Sequence, residues 1–232
     1  VLQKFRLAAQ GKSDGRQPPD HLRARVEKHF DPLPFYEPPL EALQSDLEKY
    51  PLNAITQRPM AMYHSWDSQN AWLRQIHTYN YLHVNNRTAR EAGIEDGGWM
   101  WVESMHGKIR CLCRHSEAVE PGTVWTWNAI GKASGAWALD KDANEAHQGF
   151  LLNHLISEEL PVSSDGEHLS NSDPVTGQAG WYDVRVRIYP AGAGEEKISS
   201  PQFKGMPTLP GQSIDRKPSR WLTYFAGRGG RS

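Results

Sequence analysis

A chain of 232 residues with 26 basic and 27 acidic side chains and a formal charge of −1 has no basic excess, so a nucleic acid is not an implied partner. Its apolar runs fall far short of the roughly 20 residues that cross a bilayer, which argues against direct membrane insertion, and its two cysteines exclude a disulfide framework. A hydrophobic share of 38%, with Pro- and Gly-rich flanks, fits a compact middle with looser ends.

The chain opens on "VLQKFRLAAQ", with no initiator Met and no signal-peptide pattern, as expected of a fragment or of a chain whose leader has been removed. Residues 1–30 are polar and mixed in charge, and "DHLRARVEKHF" predicts a helix from Asp20. The run "DPLPFYEPPLEALQSDLEKYP" predicts an extended segment and then a short helix, with Pro38 and Pro39 in its first turn and Pro51 as its stop. Residues 1–49 read as an approach segment that packs along the surface or on something outside the chain.

From residue 50 the texture changes. "PLNAIT" and "NYLHVN" read as strands, "SWDSQNAWLRQIH" as a helical turn or two capped by Ser65 or Asp67, and "NRTAREAGIEDGG" as a short helix stopped by Gly93. Strands at 99–104, 108–115 and 123–128 follow, joined by tight turns at "MHGK" and "VEPG", with aromatic and β-branched residues at alternate positions. "EAHQGFLLNHLISEELP" predicts a helix ended by Pro161, and "WYDVRVRIYP" a strand over 182–189. Many short strands with short helices inserted in residues 50–190 predict a small closed β-barrel. The Gly-, Ser- and Pro-rich residues 191–232 read as a tail or wrap.

Three polar clusters are candidates for a site. In the first, Thr56, Gln57, Arg58, Tyr63, His64 and Ser65 interleave with Met60, Met62 and Trp66. An exposed loop explains the polar groups alone. The mixture with thioethers and an indole suits a surface that stacks on a flat ring and hydrogen-bonds its edges. In the second, Asn153 and His154 have apolar neighbours on both sides in "GFLLNHLIS". At least one of them should be partly buried, and a core-satisfied Asn is the simpler reading. In the third, "DPVTGQAGWYD", an Asx-type turn at Asp173 puts Gln178 at the mouth of the last strand, where glutamines are common.

Self-contained catalysis finds no support. The sequence has no Gly-flanked nucleophilic Ser, no paired carboxylates on a helix face, no phosphate loop in a strand–helix context and no zinc-helix spacing among its ten histidines. Cys111 and Cys113 stand at i and i+2 on an alternating strand, so both should face one way with their sulfurs too far apart to bridge. Without further thiols they cannot complete a metal set, and are expected to be reduced and metal-free.

Taken in order, "NAITQRPMAMYHSWDSQN", "HVNNRTAREAGIEDGGWMWVESMHGKIRCLC", "VEPGTVWTWNAIGK", "GFLLNHLIS" and "SDPVTGQAGWYDVRVRI" resemble the carboxy-terminal domain of dimethyl-sulfoxide-reductase-family molybdopterin oxidoreductases. The phrasing is most similar to catalytic subunits of the sulfite dehydrogenase, thiosulfate reductase or polysulfide reductase type. One departure is Gly98, where the turn more often ends in Asp-Gly-Asp.

The resemblance implies a double-psi β-barrel over 50–190 that clamps molybdopterin guanine dinucleotide, with 1–49 the end of a preceding domain or a connecting segment. It implies cofactor contacts by Thr56, Gln57, Arg58, Met62, His64, Ser65, Asn153 and Gln178, with Arg58 near the phosphates. Molybdenum would be held by the full-length protein, and an iron–sulfur cluster would lie in an amino-terminal region absent here. Implied partners are the remaining domains of the catalytic subunit, together with separate iron–sulfur electron-transfer and membrane-anchor subunits. A prokaryotic cytoplasmic or periplasmic location follows, with the cytoplasm favoured. A competing reading is a free-standing Trp-rich binding module for carbohydrate or protein. It requires Trp99, Trp101, Trp125 and Trp127 to be exposed together on one face.

Overall fold

The computed structural model describes residues 1–36, 39–63, 70–77, 80–128, 150, 152–157, 159–162, 168–178, 184–195 and 202–203. Strands β1 (Leu52–Gln57), β2 (Tyr81–Val84), β3 (Trp99–Glu103), β4 (Gly107–His115), β5 (Thr123–Trp127) and β8 (Val184–Pro190) close on one another. Their order is β2-β5-β1-β8-β3-β4, and β4 pairs back to β2. Two pairings are parallel, β1 with β5 and β2 with β4, and the other four are antiparallel. A closed six-stranded barrel with this mixture of directions agrees with the expected double-psi architecture, and closure removes the sheet edges that short strands would otherwise expose.

The barrel forms because alternate residues on these strands are apolar. Leu52 and Ala54, Leu82 and Val84, Met100 and Val102, Ile109, Cys111 and Cys113, Val124, and Val184 and Val186 line one buried core. Period-two patterning sends each set inward and fixes the register, since a slip of one residue would turn it to the other face. Ala89 and Ile94 join this core from one connection, and Phe150, Leu152 and Leu155 from another. The expected hairpin is present, with Met100 opposite Cys111 and Val102 opposite Ile109.

Helix α5 (Asn86–Glu91) starts where the Asn85 carboxamide accepts from Arg87 N. It stops before Gly93, whose φ of 70° suits a residue without Cβ. Helix α4 (Ala71–Ile76) is capped by Asn70, whose side chain accepts from Trp72 N and Leu73 N. The expected caps, Ser65 and Asp67, lie outside the described residues.

Two expectations need correction. The short helix α3 (Leu40–Gln44) has Pro39 at its N-cap but ends at an extended Ser45, well before Pro51. Asp46 accepts from Glu48 N and Lys49 N, and this local turn competes with helix continuation.

The second correction concerns the helix expected up to Pro161. Its described part is a 3-10 turn, Leu152–Leu155, followed by strand β6 (Glu159–Val162), which pairs with β7 (His168–Ser170). The apolar spacing at Leu152, Leu155 and Ile156 mimics a helix, but one turn is enough to bury Leu152 and Leu155 against the barrel. Pro161 lies in the irregular stretch between the Glu159 and Val162 pairings, where a missing N–H is tolerated.

At the start, a further helix accompanies the expected one. Besides α2 (Asp20–His29), the chain forms α1 (Leu2–Ala9). The two pack through an edge-on Phe5–Phe30 contact and an Arg6–Asp31 ion pair.

Beyond residue 190 the described residues lie on the barrel wall. The Glu195 carboxylate accepts from Trp101 Nε1 at 2.9 Å, and strand β9 (Gln202–Phe203) pairs with Gly107 and Lys108 of β4.

Candidate functional site

The pairing registers decide which loops share a mouth. Gln57 lies opposite Trp127, Thr126 opposite Leu82, Ala54 opposite Val184, and Glu103 opposite both Lys108 and Arg187. One end of the barrel therefore collects the exit of β1, the exit of β5, the entry of β2, the β3–β4 turn and the entry of β8. The other end carries α5 and the β4–β5 turn.

A buried polar belt locks this rim. Thr126 Oγ lies 2.9 Å from both Asn80 Oδ1 and the Tyr81 carbonyl, and Asn80 Nδ2 donates to the Trp127 carbonyl at 3.0 Å. Asn128 N donates to the Gln57 carbonyl at 2.7 Å, extending the β1–β5 pairing one step into the loop. Buried amides and hydroxyls that satisfy one another hold the backbone in one arrangement. Sequence reasoning missed Asn80, Thr126 and Asn128. The available signal was a polar residue at each position where a strand enters or leaves this end.

On that base the predicted residues take definite positions. Thr56 is half-buried at the end of β1, and Gln57 and Arg58 are exposed beside it. Met62 is 5% exposed and Met60 98% exposed, so Met62 anchors the loop and Met60 is the thioether presented to solvent. His64 and Ser65 lie outside the described residues.

Asn153 is exposed on the 152–155 turn, not satisfied in the core, and its neighbour His154 is half-buried. Burial holds the His154 imidazole below its ordinary pKa. The turn is tied to the rim by Ser104, whose buried hydroxyl donates to the Leu155 carbonyl at 2.7 Å.

Gln178 is exposed and closes the predicted Asx turn. Asp173 Oδ1 accepts from Val175 N and from Thr176 N and Oγ, and Asp173 N donates to the Gln178 carbonyl at 2.7 Å. These bonds, the Thr176 backbone one first, hold the Asp173 carboxyl below its usual pKa. Gly177, at φ 71°, completes the turn.

The structure thus brings Gln57, Arg58 and the Asn153 turn to one end of the barrel. Asn171, at the entry to the Gln178 turn, donates through its side chain to Glu41 of α3 at 3.4 Å.

The remaining sequence candidates fall elsewhere. Cys111 and Cys113 are free and buried in the core. Burial pushes the Cys111 thiol well up and the Cys113 thiol up to about 12, with the Asp96 charge adding to the latter, so neither is a nucleophile near neutral pH.

Trp99, Trp101, Trp125 and Trp127 form no bare platform. Trp101 is 1% exposed, Trp99 lies 3.8 Å under the Arg110 guanidinium, and Trp125 is stacked on His83 at 3.9 Å. A cavity of about 530 Å³ opens beside α5, lined by Pro51, Leu52, Thr88, Pro121 and Ile188 among others. It is at the far end from the rim, and its lining also includes the charged Arg87, Glu91 and Arg187.

Residues 52–167 match the family model described as the molydopterin dinucleotide binding domain. The chain is 67% identical to a sulfite dehydrogenase subunit of Allochromatium vinosum over 98% of its own length and 23% of that protein. It is 33% identical to acetylene hydratase of Syntrophotalea acetylenica over 64% of its length and 20% of that protein. It is 30% identical to the thiosulfate reductase molybdopterin-containing subunit of Salmonella typhimurium over 38% of its length and 11% of that protein. The solved structure of acetylene hydratase from Pelobacter acetylenicus superposes with a TM-score of 0.51 at 24% identity, covering 69% of this chain and 22% of that one, and shares its fold. The chain therefore spans about a quarter of the length of its curated relatives or less.

Proposed function

Because the chain belongs to the molybdopterin dinucleotide-binding domain family, we propose that its polar rim is the surface that holds molybdopterin guanine dinucleotide. The observation that carries this reading is the convergence of Gln57, Arg58 and the Asn153 turn, contributed by separate segments, at one end of a closed barrel.

The donor set fits the ligand. Pterin and guanine have planar faces and fixed donor and acceptor edges, which an amide can read in both directions. An exposed guanidinium can grip a phosphate through two N–H groups. Arg58 is assigned to the phosphates, and Gln57, Asn153 and Gln178 to the ring edges. The Thr56 hydroxyl lies beside them, Met60 gives apolar contact, and Met62 holds the loop from below. His64 and Ser65 extend the same loop in sequence and are assigned to the cofactor by resemblance. When bound in the full-length protein, the cofactor supplies molybdenum redox chemistry. This domain's residues bind and orient it, and the buried belt of Asn80 and Thr126 keeps the rim from reorganising.

At the level of the whole protein, we infer the catalytic subunit of a molybdenum oxidoreductase, working on a sulfur oxyanion or related small substrate. The identity to a sulfite dehydrogenase subunit supports this. An iron–sulfur cluster in the preceding region, with separate electron-transfer and membrane-anchor subunits, completes the proposal. Among the described residues no helix is long and apolar enough to cross a membrane; attachment at the cytoplasmic face through the partner subunits is part of the same proposal. Trp99, Trp125 and Trp127, half-buried, and Trp101, buried, disfavour the carbohydrate-module reading.

The test is Asn153→Ala and Gln178→Ala in the full-length protein, with dinucleotide and molybdenum content measured after purification. Each should weaken binding by about 1–3 kcal/mol, the cost of a lost hydrogen bond in a desolvated contact. Both side chains are exposed without the cofactor, so folding stability should move by less than about 0.5 kcal/mol. A double variant with normal cofactor content defeats the assignment.

A further inference from the structure

The β3–β4 turn carries a second set of polar contacts that the rim residues do not explain. Ser104 is fully buried, and besides donating to Leu155 its hydroxyl accepts from His106 N at 3.1 Å. The His106 ring lies beside a carboxylate from a distant segment, with Nε2 3.6 Å from Glu41 Oε1, a packing contact too long for a hydrogen bond. Glu41 is 2% exposed and through Oε2 accepts from Asn171 Nδ2 at 3.4 Å. Beside it, Ser45 Oγ contacts Met105 Sδ at 3.3 Å. Arg25 of α2 donates to the Pro174 carbonyl through Nε at 3.1 Å and an Nη at 2.9 Å.

Burying a carboxylate on a surface segment is costly unless partners hold it. Glu41 is buried where three segments meet: α3, the β3–β4 turn and the loop that enters the Gln178 turn. Ser104, two residues before His106, ties the same turn to the Asn153 segment. We propose that Ser104, His106 and Glu41 form a positioning hub that fixes the Asn153 turn and the Asp173–Gln178 turn to the barrel rim, so that two amide readers on separate loops keep a set spacing. Helix α2, through Arg25, braces the outer side of the second turn. The hub touches no ligand itself and acts through the segments it joins. Its effect on the cofactor rests on the reading of the rim given above.

Full-length proteins carrying Ser104→Ala, Glu41→Ala, Glu41→Gln, Asn153→Ala and Gln178→Ala would be compared by hydrogen exchange and by the rate of dinucleotide release. Ser104→Ala should speed amide exchange across 152–157, and Glu41→Ala should do so across 171–178, each at least several-fold. Glu41→Gln keeps an acceptor for Asn171 and should restore most of the protection, which covers the case where Glu41→Ala fails to fold. Both hub Ala variants should release dinucleotide about tenfold faster. Asn153→Ala and Gln178→Ala should release it faster with exchange unchanged. Unchanged exchange in the folded hub variants overturns the hub. Normal release from the hub variants, while the amide variants release quickly, overturns its positioning role. Altered exchange with normal release from all four Ala variants leaves the hub standing and defeats the assignment of the rim to the dinucleotide.

Discussion

His83 is an imidazole on the outer face of β2, lying flat on Trp125 at 3.9 Å with an interplanar angle of 3°. Burial, with the nearby Arg114 charge, lowers its pKa from 6.5 to about 4. The folded state therefore favours the neutral ring, and between these values the unfolded chain binds the extra proton. Stability from this residue is complete above pH 6.5 and is lost as pH falls toward 4. Burial depresses His77 and His154 in the same direction. His83→Phe keeps a ring on Trp125 but cannot titrate. Thermal melts of the full-length protein from pH 7 to about 4.5 should show it losing less stability than the parent, by of order 2 kcal/mol for a ring that solvent partly reaches. Parallel pH profiles would show that the stack does not control the titration.

At the scale of elements, the turn between α5 and β3 shows where glycine is required and where it is only convenient. Gly93 has φ 70°, and a Cβ there would meet nothing nearer than Pro190 Cγ at 3.9 Å. Gly93→Ala should therefore cost only the left-handed conformation, about 1 kcal/mol, in chemical denaturation of the full-length protein. A loss of 3 kcal/mol or more would mean that the helix stop, and not only its φ, has been disturbed. At Gly98, the departure from the usual Asp-Gly-Asp ending, a Cβ would stand 3.0 Å from the Glu95 carbonyl. This turn has closed onto its own backbone, and a side chain at 98 requires it to open slightly.

The closed barrel makes β2 a keystone at the scale of the molecule. It has four residues and pairs on both edges, antiparallel with β5 and parallel with β4. Leu82, at its centre, is fully buried. Leu82→Ala removes core packing where no neighbouring strand can move in, because the ring is already closed. It should cost about 2–5 kcal/mol, with the larger values expected if the cavity stays open. Equilibrium denaturation of the full-length protein with a domain-specific probe would check this, and a cost below about 1 kcal/mol would mean that the ring relaxes more than closure permits.

What the sequence determined by itself is local and periodic. Alternation at Met100–Val102 and at Ile109–Cys111–Cys113 set strand faces and the hairpin register, because a side-chain period of two leaves one solution once one face is apolar. Asp173 and Gly177 announced their turn because the Asx bond and a positive φ depend on neighbouring residues only. Apolar spacing at Leu152 and Leu155 was ambiguous, since one 3-10 turn and a full helix place the same residues inward. Only the tertiary structure decided that Asn153 is exposed while Thr126 and Asn80 are buried, and that Glu41 reaches His106 and Asn171 across 65 and 130 positions of chain. Those contacts depend on which strand ends share a mouth. That follows from closure of β4 onto β2, a pairing between segments that carry no mark of each other in the sequence.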